Sequence, residues 1–346
     1  MHPPFALPDF KLDKSSPLEK LAILLWGAHR HMREGLRHAL AHQSMSALTA
    51  VAATIEVDTI FGVDQIAEKL LFEYLEAHQH EAPAFLLVGE FESGGTLQFG
   101  TGAPAFRVLF DPIDGTRLVM YAKSSGWILT GIFPERGEAT RLSETRFALQ
   151  TEIPLPKYLY ADTLWAAAGR GAYRQVENLL THEVSVSPLR ANLDTELKHC
   201  FVSFVNFFQH GKTAMAALEE DFLRAALAEH AADPALVFAD QHLSTGGQLY
   251  ALVRGQEKIV VDIRPNMNRA LLRRGQATML CSHPYDFASW LIAQEAGAVI
   301  LSPSGATFDG PANAHADLGW LGFANQKLAE RYGELLLQTL QRHDLS

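Results

Sequence analysis

The chain has 346 residues, with 29 Lys and Arg against 39 Asp and Glu and a formal net charge of −10. Apolar residues make up 48% and charged residues 20%, a globular composition long enough for two ordinary domains or one large one. The acidic balance excludes broad nucleic-acid binding and docking on an anionic membrane, and taken alone it also speaks against anionic substrates; two cysteines exclude a disulfide scaffold and a four-thiolate zinc site.

The start, MHPPFALPDFKLDKSS, has no basic region followed by an apolar run, so no signal peptide is expected. The longest apolar stretches, such as 21–28, fall far short of the roughly 20 residues of a membrane helix. Together with the reducing compartment that a cysteine pair suits, this predicts a soluble, cytoplasmic protein. Leu18, Leu21, Leu25, Ala28 and Met32, continued by Leu36 and Leu40, predict a helix over 18–43 that starts at Ser16-Pro17. Ile66, Leu70, Leu71 and Tyr74 predict a second helix over 62–79. Then the period changes. Residues 83–90, 105–111 and 126–133 are short apolar runs bounded by Gly and Pro, the signature of buried strands. Strand-like pieces continue to about 187. The polar stretch 185–196 contains a proline and is the expected boundary between an N-terminal half, 1–190, and a C-terminal half, 191–346. After it strands at 199–208, 235–239, 258–263, 298–301 and 319–323 alternate with helices at 211–230, 245–254, 284–296 and 325–342, which predicts helices packed on a sheet.

Residues 108–116, VLFDPIDGT, are the most informative segment. A strand delivers Asp111, and Asp114-Gly115-Thr116 follows at once. Pro112 fixes its own φ and stiffens the turn, and Gly115 lets backbone approach a ligand closely. N–H groups at a turn or helix starting there would form an anion site beside two carboxylates. Acids beside an anion site call for a cation between them. Mg²⁺ fits, because it takes one or two protein carboxylates plus phosphate oxygens and water. The alternative is a solvated turn, and for this motif alone the two readings balance. Residues 86–92 end a strand-like run at Gly89-Glu90, and 281–300 place Asp286 in the first turn of a helix, where an Asp also has a purely dipolar reason to stand.

Together the segments Gly89-Glu90, Asp111-Pro112-Ile113-Asp114-Gly115-Thr116 and Tyr285-Asp286-Phe287-Ala288-Ser289 resemble the inositol monophosphatase-like family, in the lithium-sensitive superfamily that includes fructose-1,6-bisphosphatases. Order, spacing and context match over roughly residues 54–325. A weaker match is 57–71, which looks like the family's acidic helix with Asp64 and Glu68.

The resemblance implies a layered αβαβα sandwich. Its metal ligands fall on Glu90, Asp111, Asp114, Asp286 and the Ile113 carbonyl, holding two or three Mg²⁺. Glu90, Thr116 and Asp64 take catalytic roles, with Thr116 orienting the attacking water. Asp114, Gly115 and Thr116 contact the substrate, joined by Gly247 and Gln248 at a helix entry, where capping by Ser244 with a close-packed glycine pair is an equal alternative, and by Asp262 on a strand. The implied activity is phosphomonoester hydrolysis of a small polyol or sugar phosphate. Its alternatives are a bisphosphate phosphatase and a non-catalytic metal- or phosphate-binding relative. Family members are often dimers, which makes a homodimer an expectation. The sequence departs from the family at Phe91, where a second glutamate is usual, and at Arg117-Leu118, Tyr285 and Ser289. Residues 264–281 are longer and more basic than usual, with Arg264, Arg269, Arg273 and Arg274. Two readings stay open there: a cover or second-phosphate contact, and plain exposed arginines. Arg117 and Lys123 divide likewise between anion contact and surface charge.

Other signals are discounted. His38 and His42 have zinc-ligand spacing but no third partner. Gly211-Lys212-Thr213 ends like a P-loop, yet Asn206 stands where the first glycine belongs. Cys281 reads as a structural thiol, and Phe201, Phe204, Phe207 and Phe208 read as core.

Overall fold

The computed structural model describes residues 7–54, 59–92, 95–230 and 236–345. Residues 57–58 of the acidic-helix motif and 235 of the strand expected at 235–239 lie outside the described residues, as do 1–6 of the start read for a leader.

Helix α1 (Pro17–His42) begins where Ser16 Oγ accepts the Glu19 N–H at 3.1 Å, with Pro17 in the first turn. The short α2 (Met45–Leu48) leads into a hairpin of β1 (Val51–Thr54) and β2 (Thr59–Phe61), then α3 (Gly62–His78). Next come β3 (Phe85–Gly89), β4 (Thr96–Phe99), β5 (Phe106–Asp114), the one-turn α4 (Thr116–Met120), β6 (Gly126–Pro134), β7 (Phe147–Ile153), β8 (Tyr160–Ala167), β9 (Ala172–Asn178) and β10 (Val184–Leu189). These build an eight-stranded sheet in the order β10-β9-β8-β7-β6-β5-β3-β4, antiparallel except for the β3–β5 pair. The later elements are β11 (Cys200–Phe204), α5 (Lys212–Ala226), β12 (Val237–Phe238), α6 (Thr245–Arg254), β13 (Glu257–Asp262), α7 (Arg264–Arg273), α8 (Trp290–Ala296), β14 (Val299–Leu301), β15 (Trp320–Phe323) and α9 (Gln326–Arg342). They form a five-stranded sheet in the order β12-β11-β13-β15-β14.

The layers follow from where the apolar faces go. Along β5, Val108 and Phe110 enter one core with α1 and α3, while Leu109 enters the other. Ile128 and Ile132 on β6 face the first core, and Leu129 and Phe133 the second. Period-two alternation between two buried faces is why these strands read as continuous apolar runs. Helices α6 and α8 fill the space between the two sheets, and α5 and α9 pack together on the outer side of the smaller sheet. The result is the αβαβα sandwich.

Several features differ from the sequence expectation, among them the helix α7, which was not predicted. Residues 184–189, at the head of the expected boundary, are an edge strand that is exposed except at Leu189. An edge strand tolerates Pro188 and looks polar because one side faces water. The helix expected over 284–296 divides into a 3₁₀ turn, Pro284–Phe287, and α8. Of the four phenylalanines read as core, Phe204 is fully buried, whereas Phe201 is 41% exposed; Phe207 and Phe208 line a cavity described below.

Candidate active site

Parallel register brings the first acids together. Gly89 at the end of β3 pairs with Phe110 on β5, so Glu90 and Asp111 emerge side by side. A regular strand would send Asp111 and Asp114 to opposite faces. Here the pairing with β6 steps from Asp111↔Leu129 to Asp114↔Trp127, three residues against two. That bulge puts both carboxylates on one side. The Ile113 N–H closes the turn on Asp111 Oδ1 at 3.0 Å. Gly115 then takes φ 90°, a left-handed conformation that only glycine adopts cheaply.

Asp286 arrives from the 3₁₀ turn, where its carboxylate accepts the His283 N–H. The turn reaches the sheet because Gly131 has no side chain: a Cβ there would stand 2.4 Å from the Ala288 carbonyl oxygen. One oxygen from each of Asp111, Asp114 and Asp286 lies within 4.8 Å of the others. Glu90 lines the same cavity, and its Oε2 accepts the Tyr285 hydroxyl at 3.4 Å.

Asp114 is held from the other side by α6. Ser244 Oγ donates to Oδ2 at 2.7 Å, the Gly246 N–H to the same oxygen and the Thr245 N–H to Oδ1 at 3.2 Å. Burial dominates the electrostatics and pushes Asp114 up to about 7, with the Asp286 charge adding to it. Burial also drives Asp111 well above the carboxylate range, helped by the charges of Asp114, Asp286 and Glu90. Buried acids crowded this way make a hard oxygen donor set, which suits a small divalent cation such as Mg²⁺.

The Thr116 hydroxyl stands 2.9 Å from Asp64 Oδ1 and 2.9 Å from the Ile113 carbonyl oxygen. Asp64 also accepts the Phe61 N–H at 2.8 Å, which fixes it at the start of α3. Glu68, one turn on, accepts the Glu92 N–H at 2.8 Å. Phe91, at the position of the usual second glutamate, is buried and packs on Phe72. Glu92 is exposed and bonds Gln65, so it does not replace that glutamate in the cavity.

The remaining predicted residues separate. Gln248 lines the cavity, whose volume is about 90 Å³. Gly247 does not; it lines a neighbouring cavity. Asp262 is fully buried, and both its oxygens are taken by Arg264, at 2.9 Å and 2.6 Å. Arg264, rather than Asp262, reaches the cavity wall, beside Phe207 and Phe208 at 5.1 and 5.8 Å from their ring centres. Arg269, Arg273 and Arg274 are exposed. Arg117 lines the cavity against the Phe61 ring, and Lys123 is exposed. His42 Nδ1 is bonded to the His38 carbonyl, and among the described residues the one cluster able to hold a metal is the Asp111–Asp114–Asp286 group. Sequence reasoning missed the Tyr285 hydroxyl and the two phenylalanines as parts of the site, whereas Arg264, one of the arginines left open between a cavity contact and exposed charge, is buried and lines the cavity. The same reasoning named Ser244 as a cap, and Ser244 both caps α6 and binds Asp114.

No family model and no curated protein matches the sequence. Solved structures do match in fold. Fructose-1,6-bisphosphatase of Leishmania major aligns with a TM-score of 0.69 at 12% identity, over 96% of this chain and 97% of that one. Inositol monophosphatase II of Staphylococcus aureus gives 0.58 at 16%, over 94% and 97%. A Pyrococcus horikoshii protein described as similar to inositol-1 monophosphatase gives 0.59 at 17%, over 93% and 98%. The chain shares their αβαβα fold across nearly its whole length.

Proposed function

We propose that this chain is a divalent-cation-dependent phosphomonoesterase of the inositol monophosphatase and fructose-1,6-bisphosphatase group, acting on a small phosphorylated metabolite. The convergence of Asp111, Asp114 and Asp286 beside the Thr116–Asp64 hydrogen bond carries the reading. The three aspartates, Glu90 and the Ile113 carbonyl would hold Mg²⁺. When bound, the cation acidifies a water and offsets charge developing on the leaving oxygen.

The chain's own residues supply the rest. Asp64 accepts from the Thr116 hydroxyl and so points the threonine's lone pairs at the water to be deprotonated. Gly115 and Thr116 present backbone to the phosphate, and the positive φ of Gly115 allows that approach. Ser244 and Thr245 in the cavity wall hold Asp114 in place, and Gln248 borders the cavity. Arg117 and Arg264 in the same wall favour, as a second reading, a substrate with a second anionic group.

The test is phosphate release from a panel of mono- and bisphosphate esters by purified protein with Mg²⁺. Release is expected, with Asp111→Asn and Asp114→Asn each silent. If no ester is hydrolysed, the proposal fails. Faster turnover of bisphosphates would select the second reading.

A further inference from the structure

A second cavity, of about 500 Å³, lies on the other side of the α6 entry, and Gln248 stands in the wall common to both. Its chemistry is unlike that of the acid cluster. Glu152, Asp240 and Glu257 line it together with His242, and among the described residues no lysine or arginine does. Trp127 and Tyr250 pair their rings at 4.7 Å on its wall, with Phe201 and Tyr158 at its edge.

Its acceptors outnumber the donors they meet. Glu257 is 5% exposed, and both its oxygens rely on the single Ser203 hydroxyl, at 3.0 and 3.1 Å. That hydroxyl oxygen also receives the Asp240 N–H at 3.0 Å. Burial raises Glu257 to about 8, against the Ser203 hydrogen bond and with the Asp240 charge contributing. Gln248 is likewise 5% exposed, and its Oε1 has no hydrogen-bond partner while Nε2 is committed to the His242 carbonyl at 2.8 Å. Burial lowers the pKa of His242, which leaves its imidazole neutral near pH 7 and able to accept.

We infer that this cavity binds an organic ammonium ion: its N–H donors would meet Glu257, Asp240 and Gln248, and its carbon body would lie on the Trp127–Tyr250 pair. The volume is too large for a bare metal ion, and aromatic rings attract ammonium groups through their π faces. An ammonium beside Glu257 would favour release of the Glu257 proton to solvent, and the carboxylate so formed, like the unfilled amide oxygen, gains from a charged donor.

The source of the ammonium is either a free amine or a substrate that carries one. Calorimetric titration of the full chain with spermidine, in the presence of Mg²⁺, tests the site. Saturable binding is expected, weakened about tenfold or more by Glu257→Gln and by the exposed-site change Asp240→Asn, as loss of a charged hydrogen bond predicts. Asp286→Asn, in the other cavity, should leave it unchanged. Absence of binding up to about 10 mM, a range in which even millimolar affinity would register, overturns the proposal; so does binding that Asp286→Asn weakens and Glu257→Gln does not. Unfolding temperatures of the variants separate lost binding from lost fold. In a second arm, O-phosphoethanolamine and glycerol phosphate are compared as substrates. A KM raised by Glu257→Gln for the amine ester alone assigns the ammonium to the substrate, and equal KM values assign it to a separate ligand; both require the spermidine result to hold.

Discussion

At the scale of single residues, the acid cluster is a compromise between burial and charge. Asp114 has its pKa raised to about 7, chiefly by burial, against 3.8 for an unperturbed aspartate. The folded chain therefore binds this proton more tightly than the unfolded chain. Stability from this group is full below about pH 4, lost as pH rises toward 7 and level above it. In chelator, the unfolding temperature of the wild type should fall over that window relative to Asp114→Asn. A difference between the two that stays flat with pH would refute the assignment. Thr116 makes a separate prediction. Thr116→Val keeps the shape and removes the hydroxyl that bonds Asp64. Loss of an oriented proton acceptor should lower kcat about 10²-fold or more with little change in KM, and phosphate-release kinetics read both. A KM effect with kcat intact would assign Thr116 to binding instead.

At the scale of elements, the site depends on close approaches that glycine permits. Gly131 on β6 lets the Ala288 carbonyl come where a Cβ would stand 2.4 Å away, and Asp286 rides on that turn. Gly131→Ala should push the turn outward, at a cost of about 1–3 kcal/mol typical of overpacking. It should also lower Mg²⁺ affinity, although residue 131 is no ligand. Calorimetry gives the affinity and urea unfolding gives the stability. Unchanged affinity would show that the turn holds its position by other contacts. These approaches explain what could be read ahead of the structure. The Asp111–Thr116 run, the strand end at Glu90 and the turn at Asp286 are local, so their spacing was legible. The bulge at β5 was not, because it exists only relative to β6. The sequence named both Asp262 and Arg264 and could not choose between them for the same reason: which side chain reaches the cavity depends on how α7 leaves β13. Phe207 and Phe208 looked like core because an apolar wall and a core share one composition.

At the scale of the whole molecule, the net charge of −10 and the predicted phosphate site are compatible only if part of that charge is neutralised locally. A bound cation inverts the field within a few ångströms and leaves the outer surface acidic. The ligands also come from distant parts of the chain: Asp111 and Asp114 from the large sheet, Asp286 from the turn before α8. No such constellation exists in the unfolded chain, so cation binding and folding are linked. Mg²⁺ at about 100 times its dissociation constant should stabilise the fold by about 2.7 kcal/mol. The effect should disappear with EDTA and in Asp286→Asn, and matched ionic strength from NaCl should not reproduce it. Urea titrations with and without Mg²⁺ measure it directly. Equal stabilisation by NaCl would mean that general screening of the acidic surface, not a built site, is responsible, and would remove the physical basis for reading this fold as a phosphatase.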